Sequence, residues 1–230
     1  MDWPFLMDVL HQLLPGLPLT LQLVGLSLSI GFLLAVLVAT AAASRFSPMR
    51  WIASAHVELF RGTPLLVQIF LIYYGLGQIT PLRQSFLWPF LREPYWCAIL
   101  ALAFNTSAYT AEIIRGAVQS VPAGEIEAAR ACGMSGFLLR RRITWPVALR
   151  QGLPVYGSEV ILMIKATSLA SIITLTEVTG IAHKLISSTY RALEVFVVTG
   201  GIYLALNFLI SFALSLAERR LHAHLADRNV

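Results

Sequence analysis

The stretch EIEAARACGMSGFLLRRRITWP, residues 125–146, is the longest charged segment of a chain that is otherwise strongly apolar. It carries Glu125, Glu127 and four arginines. The 230 residues as a whole are 57% hydrophobic and 13% charged, with a mean hydropathy of +0.72, whereas a soluble domain has about 25% charged residues. The composition therefore predicts an integral membrane protein, in which this stretch lies outside the lipid.

Four runs around this stretch contain no Lys, Arg, Asp or Glu, at residues 9–44, 62–82, 94–111 and 195–217. Each run can cross a bilayer, since a spanning helix needs roughly 20 apolar residues. A fifth segment, 153–175, is also long enough, although it contains Glu159 and Lys165. We therefore predict a single-domain, all-α integral membrane protein with five transmembrane helices, at about 17–43, 58–80, 95–116, 153–175 and 195–217.

The basic residues divide between the two sides of the predicted bundle. The side of the 125–146 stretch has eleven arginines: Arg45, Arg50, Arg115, Arg130, Arg140, Arg141, Arg142, Arg150, Arg219, Arg220 and Arg228. The other side has Arg83, Arg92, Lys184 and Arg191. Because cytoplasmic loops carry the excess of basic residues, we predict a cytoplasmic C-terminus and an N-terminus outside. The net charge of +5 follows this topology and indicates no nucleic-acid partner.

The sequence offers little catalytic chemistry. The start MDWPFLMD has no basic region, so we expect no cleaved signal peptide. Cys97 and Cys132 fall at different membrane depths, and the histidines lack metal-ligand spacing, so we expect neither a disulfide nor a metal site. The motifs Gly-x-Ser-x-Gly and His-Glu-x-x-His are absent, and neither lysine follows a glycine as a phosphate-binding loop requires. We therefore predict a non-catalytic chain that does not itself bind ATP.

The first part of the stretch predicts a short cytoplasmic helix between spans three and four. Pro122 and Gly124 break the chain before EIEAARAC, whose Glu, Ala and Arg residues are strong helix formers, and Gly133 is well placed to end the helix. The helix would present Glu127 and small alanines to another surface. An ordinary surface loop held by lipid headgroups is an open alternative.

The same residues carry a resemblance to a known family. Glu127, Ala128 and Ala129, followed by Gly133 and by the ITWP of residues 143–146, resemble the EAA signature of permease subunits of bacterial ATP-binding-cassette importers. The spacing fits throughout, and Trp145 replaces a leucine. The resemblance implies that Glu127, Ala128, Ala129 and Gly133 form the coupling helix that docks into a separate ATPase. It also implies a bacterial inner-membrane location, with ATP and magnesium held by that partner and no cofactor in this chain.

Three further segments, ELFRGTPLLVQ (58–68), AYTAEIIRG (108–116) and KATSLASI (165–172), resemble polar amino-acid permeases, and this resemblance extends from about residue 17 to 220. It is strongest to permeases for histidine, arginine or opines. It implies a second permease, of the same or a related chain, an extracytoplasmic binding protein, and passage of a basic amino acid or derivative by alternating access. Many relatives have Asp at position 166, where this chain has Ala. A carboxylate contact to a basic substrate is therefore absent at this position, and the assignment of substrate-binding residues by resemblance is weaker.

Polar residues inside the spans are candidates to line a substrate passage. Asn105, Tyr109 and Glu112 share one helical face at i, i+4 and i+7, and a charged residue at mid-bilayer costs about 2.5–3.5 kcal/mol. In the second span, Glu58, Arg61 and Gln68 are predicted to share a face, and Glu58–Arg61 and Glu112–Arg115 are each spaced to pair. Lys165 and Ser168 complete the candidate set. Holding the helices together is the structural alternative for all of these residues.

Three other functions are alternatives to that of an importer subunit. A secondary transporter driven by an ion gradient could use Glu112, Glu159 and Lys165 as relay groups. A membrane enzyme is disfavoured by the missing catalytic motifs. A scaffold subunit without cargo is disfavoured by the polar faces of spans two and three.

Overall fold

The structure, a computed structural model, describes residues 2–226, and the predicted cytoplasmic C-terminus lies outside the described residues. The described chain is helical and contains twelve α-helices joined by short 3₁₀ and π turns. They are α1 (Trp3–Leu13), α2 (Leu17–Ala42), α3 (Ser47–Gly62), α4 (Leu65–Phe70), α5 (Thr80–Arg83), α6 (Trp88–Leu91), α7 (Pro94–Gln119), α8 (Ala123–Ala131), α9 (Gly136–Leu139), α10 (Trp145–Ala166), α11 (Val178–Thr189) and α12 (Ala192–Ala226).

Among the described residues, four helical segments are long and apolar enough to cross a membrane as single units: Trp3–Ala42, Pro94–Gln119, Gly136–Ile173 and Ala192–Arg219. The predicted second span differs from these. The chain there forms a bent pair, Ser47–Gly62 and Leu65–Gln78, with an angle of 108° between its halves. Such a pair is either one broken span or a re-entrant loop, so the structure supports four spans, or five if the pair is one.

The bend has a local cause in the sequence. Thr63 is extended, with φ −115° and ψ 145°, because a residue before proline is disfavoured in the α region. Pro64 has no N–H with which to continue the hydrogen bonds of α3. The uncharged run 62–82 therefore contains a helix end at Gly62 and a new helix at Leu65.

The close packing of α2 against α7 forms the centre of the bundle. At Gly31 the two helices approach so tightly that a Cβ atom would collide with the Thr106 side chain and lie 3.0 Å from the Ala103 carbonyl oxygen. The alanines of α7 that face this contact are fully buried, as are Leu23 and Leu102. Small residues therefore bring two spanning helices into direct contact, as is typical of membrane helix pairs.

A buried carboxylate organises the predicted outer end of the bundle. Glu177 is fully buried and begins α11 by accepting hydrogen bonds from the backbone N–H groups of Thr179 and Gly180, both at 2.8 Å. The Tyr203 hydroxyl of α12 donates to the same carboxylate at 2.9 Å. Burial raises the pKa of the Glu177 carboxyl, and these hydrogen bonds oppose that rise. Glu177 thus ties the start of α11 to α12.

Replacing Glu177 with Ala is expected to destabilise the protein by about 2–4 kcal/mol, because two N–H groups and a hydroxyl would lose their acceptor in a buried place. Thermal unfolding of the purified protein in detergent measures the effect. Glu177→Gln is the matched control, since its amide oxygen still accepts a hydrogen bond, and it should lose less than the alanine variant. Equal melting temperatures for wild type and Glu177→Ala would contradict this role.

Candidate functional site

A charged cluster lies where the end of α3 meets α7. Glu112 pairs with Arg115 at 2.6 Å and with Arg61 at 3.7 Å, and the Arg61 guanidinium lies 5.3 Å from the centroid of the Tyr109 ring. The predicted Glu112–Arg115 pair is therefore present. The predicted Glu58–Arg61 pair is wrong. Arg61 pairs with Glu112 of α7 instead, and among the described side chains of residues 2–219 no ion pair involves Glu58.

The predicted shared face of Glu58, Arg61 and Gln68 is also wrong, because α3 ends at Gly62 and Gln68 belongs to α4. Gln68 is only 5% exposed, and its amide nitrogen donates to the carbonyl oxygens of Phe60 at 2.8 Å and Thr63 at 3.0 Å. In an unbroken helix the Phe60 oxygen would accept from residue 64, which is a proline. Gln68 therefore supplies a donor that the bend removes.

Asn105 completes this arrangement from α7. Its amide nitrogen donates to the Gln68 side-chain oxygen at 3.0 Å and to the Phe60 carbonyl oxygen at 3.2 Å. A buried carbonyl left without a donor is costly in a membrane. Asn105 and Gln68 thus close the hydrogen bonding at the bend and connect it to the central helix.

Two adjoining grooves lie along the contact between α7 and α10. The larger, of about 630 Å³, reaches from Arg61 and Glu112 past Tyr109 to Glu159. The second, of about 450 Å³, continues past Tyr109 and Glu159 to the end of α10. The predicted passage residues that line one or both grooves are Arg61, Asn105, Tyr109, Glu112, Lys165 and Ser168. Glu58 and Gln68 line neither of them.

The wall common to both grooves contains Glu159, which was not among the predicted passage residues. It is 7% exposed, and one carboxylate oxygen accepts from the Thr106 hydroxyl of α7 at 2.8 Å. A lone acid inside an apolar span is itself a signal of a functional position. Lys165, six residues later, is exposed, and no described hydrogen bond or ion pair involves its ammonium group. The grooves therefore hold one buried acid and one available cation.

Three of the predicted coupling residues, Glu127, Ala128 and Ala129, lie on α8, and Gly133 follows the end of this helix. The last residue of the helix is Ala131, and Gly133, with φ +80°, terminates it as predicted. The Gly133 N–H donates to the Arg130 carbonyl oxygen at 2.9 Å, and the Met134 N–H donates to the Ala129 carbonyl oxygen at 3.0 Å. This is a Schellman ending, which favours glycine. Glu127 and Ala128 are exposed, whereas Ala129 is buried and packs inward. The helix thus offers an acid and a small side chain outward.

Comparison with known proteins gives concordant matches. The chain matches the family described as binding-protein-dependent transport system inner membrane component over residues 30–223. It is 56% identical to the octopine transport system permease protein OccM of Rhizobium meliloti, over 93% of this chain and 87% of that protein. It is 52% identical to the nopaline transport system permease protein NocM of Agrobacterium fabrum, over 99% of this chain and 95% of that protein.

A solved structure matches the fold over nearly its whole length. The crystal structure of an amino acid ABC transporter with histidines superposes with a TM-score of 0.85 and 36% identity. The match covers 96% of this chain and 99% of the matched chain.

Replacing Gln68 with Leu is expected to destabilise the protein by about 2–4 kcal/mol, because carbonyl groups at the bend and the Asn105 amide would lose partners. The melting temperature in detergent should fall by ~5–15 °C. Tyr109→Phe is the control: it removes a hydroxyl at the groove for which the described residues provide no hydrogen bond, so its melting temperature should match wild type. Similar melting temperatures for both variants would contradict the bracing role of Gln68.

Proposed function

Since this chain belongs to the family of binding-protein-dependent transport system inner membrane components, we propose that it forms one half of the passage of an importer for basic amino acids or opines. It is a permease subunit of an ABC transporter, and a separate ATPase hydrolyses the ATP. Because ATP hydrolysis supplies the energy, we set aside the alternative of a secondary transporter driven by an ion gradient. The polar grooves between α7 and α10 are the observation on which the proposed passage depends.

The proposed orientation places α8 in the cytoplasm and the Glu177 end of the bundle outside. The excess of arginines flanking α8 supports it. With this orientation, the larger groove, which includes Arg61, Glu112 and Ser120, opens toward the cytoplasm. The second groove, which ends at Lys165 and Ser168, opens toward the outside.

A second permease is proposed to cover this polar face. Arg61, Tyr109, Arg115 and Lys165 are all exposed on the described chain, at depths where lipid would otherwise contact them. Exposure of charged groups to hydrocarbon is costly, whereas two permeases facing each other would enclose a shared aqueous passage. A pair related by a two-fold axis, of identical or related chains, satisfies this requirement.

The proposed cargo carries both a cationic group and a carboxylate. Glu159 offers a carboxylate to a guanidinium or ammonium group, and Lys165 offers an ammonium to a carboxylate. The matched relatives named for octopine and nopaline, and the matched structure with histidines, support this class of cargo. An extracytoplasmic binding protein would deliver the cargo to the outer groove.

Transport is proposed to proceed by alternating access. ATP and magnesium on two partner ATPases would close the ATPase dimer and draw together the two copies of α8. Because α8 follows α7 and precedes α10 in the chain, its displacement would move both walls of the grooves. Glu127 and Ala128 form the proposed contact with the ATPase, supported by Ala129 and by the ending at Gly133.

Glu159→Gln is expected to lower uptake of radiolabelled arginine or octopine by roughly tenfold or more, because a hydrogen-bonded charge contact contributes about 1.5–3 kcal/mol. Uptake is measured in cells that express the complete transporter. Glu58→Gln is the control, since it removes an exposed carboxylate outside both grooves and should leave uptake unchanged. Normal uptake by Glu159→Gln, at equal protein levels, would reject the cargo-binding role.

Glu127→Lys is expected to release the ATPase from α8 and to lower uptake at least roughly tenfold, because a reversed charge at a docking contact costs several kcal/mol. The matched control is Glu125→Lys, which makes the same charge change two residues earlier, about 200° around the helix. Co-purification of the tagged permease measures the retained ATPase. Retention and uptake at wild-type levels in Glu127→Lys would show that α8 docks differently.

A further inference from the structure

Three consecutive arginines, Arg140, Arg141 and Arg142, lie in the turn that joins α9 to α10, and we refer to them as the arginine turn. All three are exposed. Among the side chains that the structure describes, those of residues 2–219, none forms a hydrogen bond or ion pair with these three. Arg61 and Arg115, by contrast, pair with an acid of the same chain. The charge of the arginine turn is therefore available to a partner outside the chain.

The three arginines lie in a turn whose backbone differs from that of the flanking helices. Residues Arg140–Thr144 form a π-helical turn, in which hydrogen bonds reach the fifth residue along the chain. Each residue therefore rotates by less than the roughly 100° of an α-helix. The three Cα positions consequently spread over somewhat less than the roughly 200° that three successive residues cover on an α-helix.

An apolar pair borders the arginine turn on both sides in sequence. Phe137 and Trp145 are 64% and 51% exposed, and their rings meet edge to face with centroids 5.8 Å apart. Leu149, one turn further along α10, is 57% exposed. Aromatic side chains beside arginines at the end of a spanning helix are typical of the level of the lipid headgroups.

We propose that the arginine turn binds the phosphate groups of anionic phospholipids in the cytoplasmic leaflet, while Phe137 and Trp145 insert beside the acyl chains. The guanidinium fork matches phosphate oxygens in geometry and charge. A groove of about 440 Å³ beside the turn, with Arg130 and Arg140 on its walls, provides room for a headgroup between two cations. The inference rests on the proposed orientation of α8, and on no assumption about cargo.

Lipid binding at this place has a consequence for coupling. The arginine turn lies between α8, which is proposed to receive the movement of the ATPase, and α10, which carries Glu159. Bound headgroups would fix the depth of the cytoplasmic end of α10 in the bilayer. Transport per ATP hydrolysed is therefore expected to rise when phosphatidylglycerol is added to neutral lipid.

The test uses the intact importer, purified with its partner subunits in a neutral detergent and titrated with fluorescent phosphatidylglycerol. The variant Arg140→Gln/Arg141→Gln/Arg142→Gln is expected to bind this lipid on the order of 100-fold more weakly, because each basic residue near an anionic surface contributes to its attraction. The matched control, Arg83→Gln/Arg92→Gln/Lys184→Gln, removes the same number of charges from the opposite side and should bind as wild type does.

Two outcomes would overturn the proposal. One is unchanged affinity of the triple variant for phosphatidylglycerol. The other is loss of the ATPase from the variant with lipid binding intact, which would assign the arginines to the ATPase contact. Both differ from failure of the proposed function, which would appear as normal uptake in the Glu127 and Glu159 variants.

The coupling consequence is read separately in nanodiscs. Wild type in phosphatidylcholine with added phosphatidylglycerol should transport more cargo per ATP than in phosphatidylcholine alone, and the triple variant should lose this difference. An equal response of wild type and variant to phosphatidylglycerol would place the lipid effect elsewhere in the importer and refute the assignment to the arginine turn.

Discussion

A polar group at membrane depth must find a partner within the protein or in an aqueous passage, and the arrangement of this chain follows from that constraint. It is clearest at the Thr63–Pro64 bend, where the helix loses the donor that the Phe60 carbonyl requires. Gln68 and Asn105 supply donors to that carbonyl at 2.8 and 3.2 Å. These hydrogen bonds stabilise the bend and join α3, α4 and α7 at one point.

The same constraint separates the intramembrane polar residues into two kinds. Gln68 and Thr106 are buried and donate hydrogen bonds to neighbouring helices, so they help to fix how the helices pack. Tyr109 and Lys165 line the open grooves, and no described hydrogen bond involves the Tyr109 hydroxyl or the Lys165 ammonium group. Glu159 belongs to both kinds, because one oxygen is held by Thr106 while the side chain lines both grooves. A groove-lining carboxylate that is also fixed in position fits the proposed role in cargo recognition.

Features with a single local cause were the most predictable from the sequence, and contacts between distant segments were the least. The helix end at Gly133 was predictable, since a glycine with positive φ follows from the chemistry of a single turn. The bend at Pro64 carried a local signal too, but the uncharged run 62–82 suggested an unbroken span, and the predicted face of Gln68 depended on that continuity. The contacts Arg61–Glu112 and Thr106–Glu159 join distant parts of the chain, and no spacing rule within one helix could reveal them.

The order of elements along the chain explains how one short helix can act on a distant groove. Glu112 lies near the end of α7, and α10 begins after α8 and the arginine turn. Glu159 lies some 14 residues into α10, about 21 Å along its axis. A helix of this length transmits a displacement of its end as a tilt. The helices α7 and α10 contact each other beside the grooves, while α7 packs most extensively on α2. In the proposed cycle, a movement of α8 would therefore change the separation of Glu112 and Glu159 while the central α2–α7 contact persists. The fixed centre and the movable wall of the proposed cycle would then belong to different helix pairs.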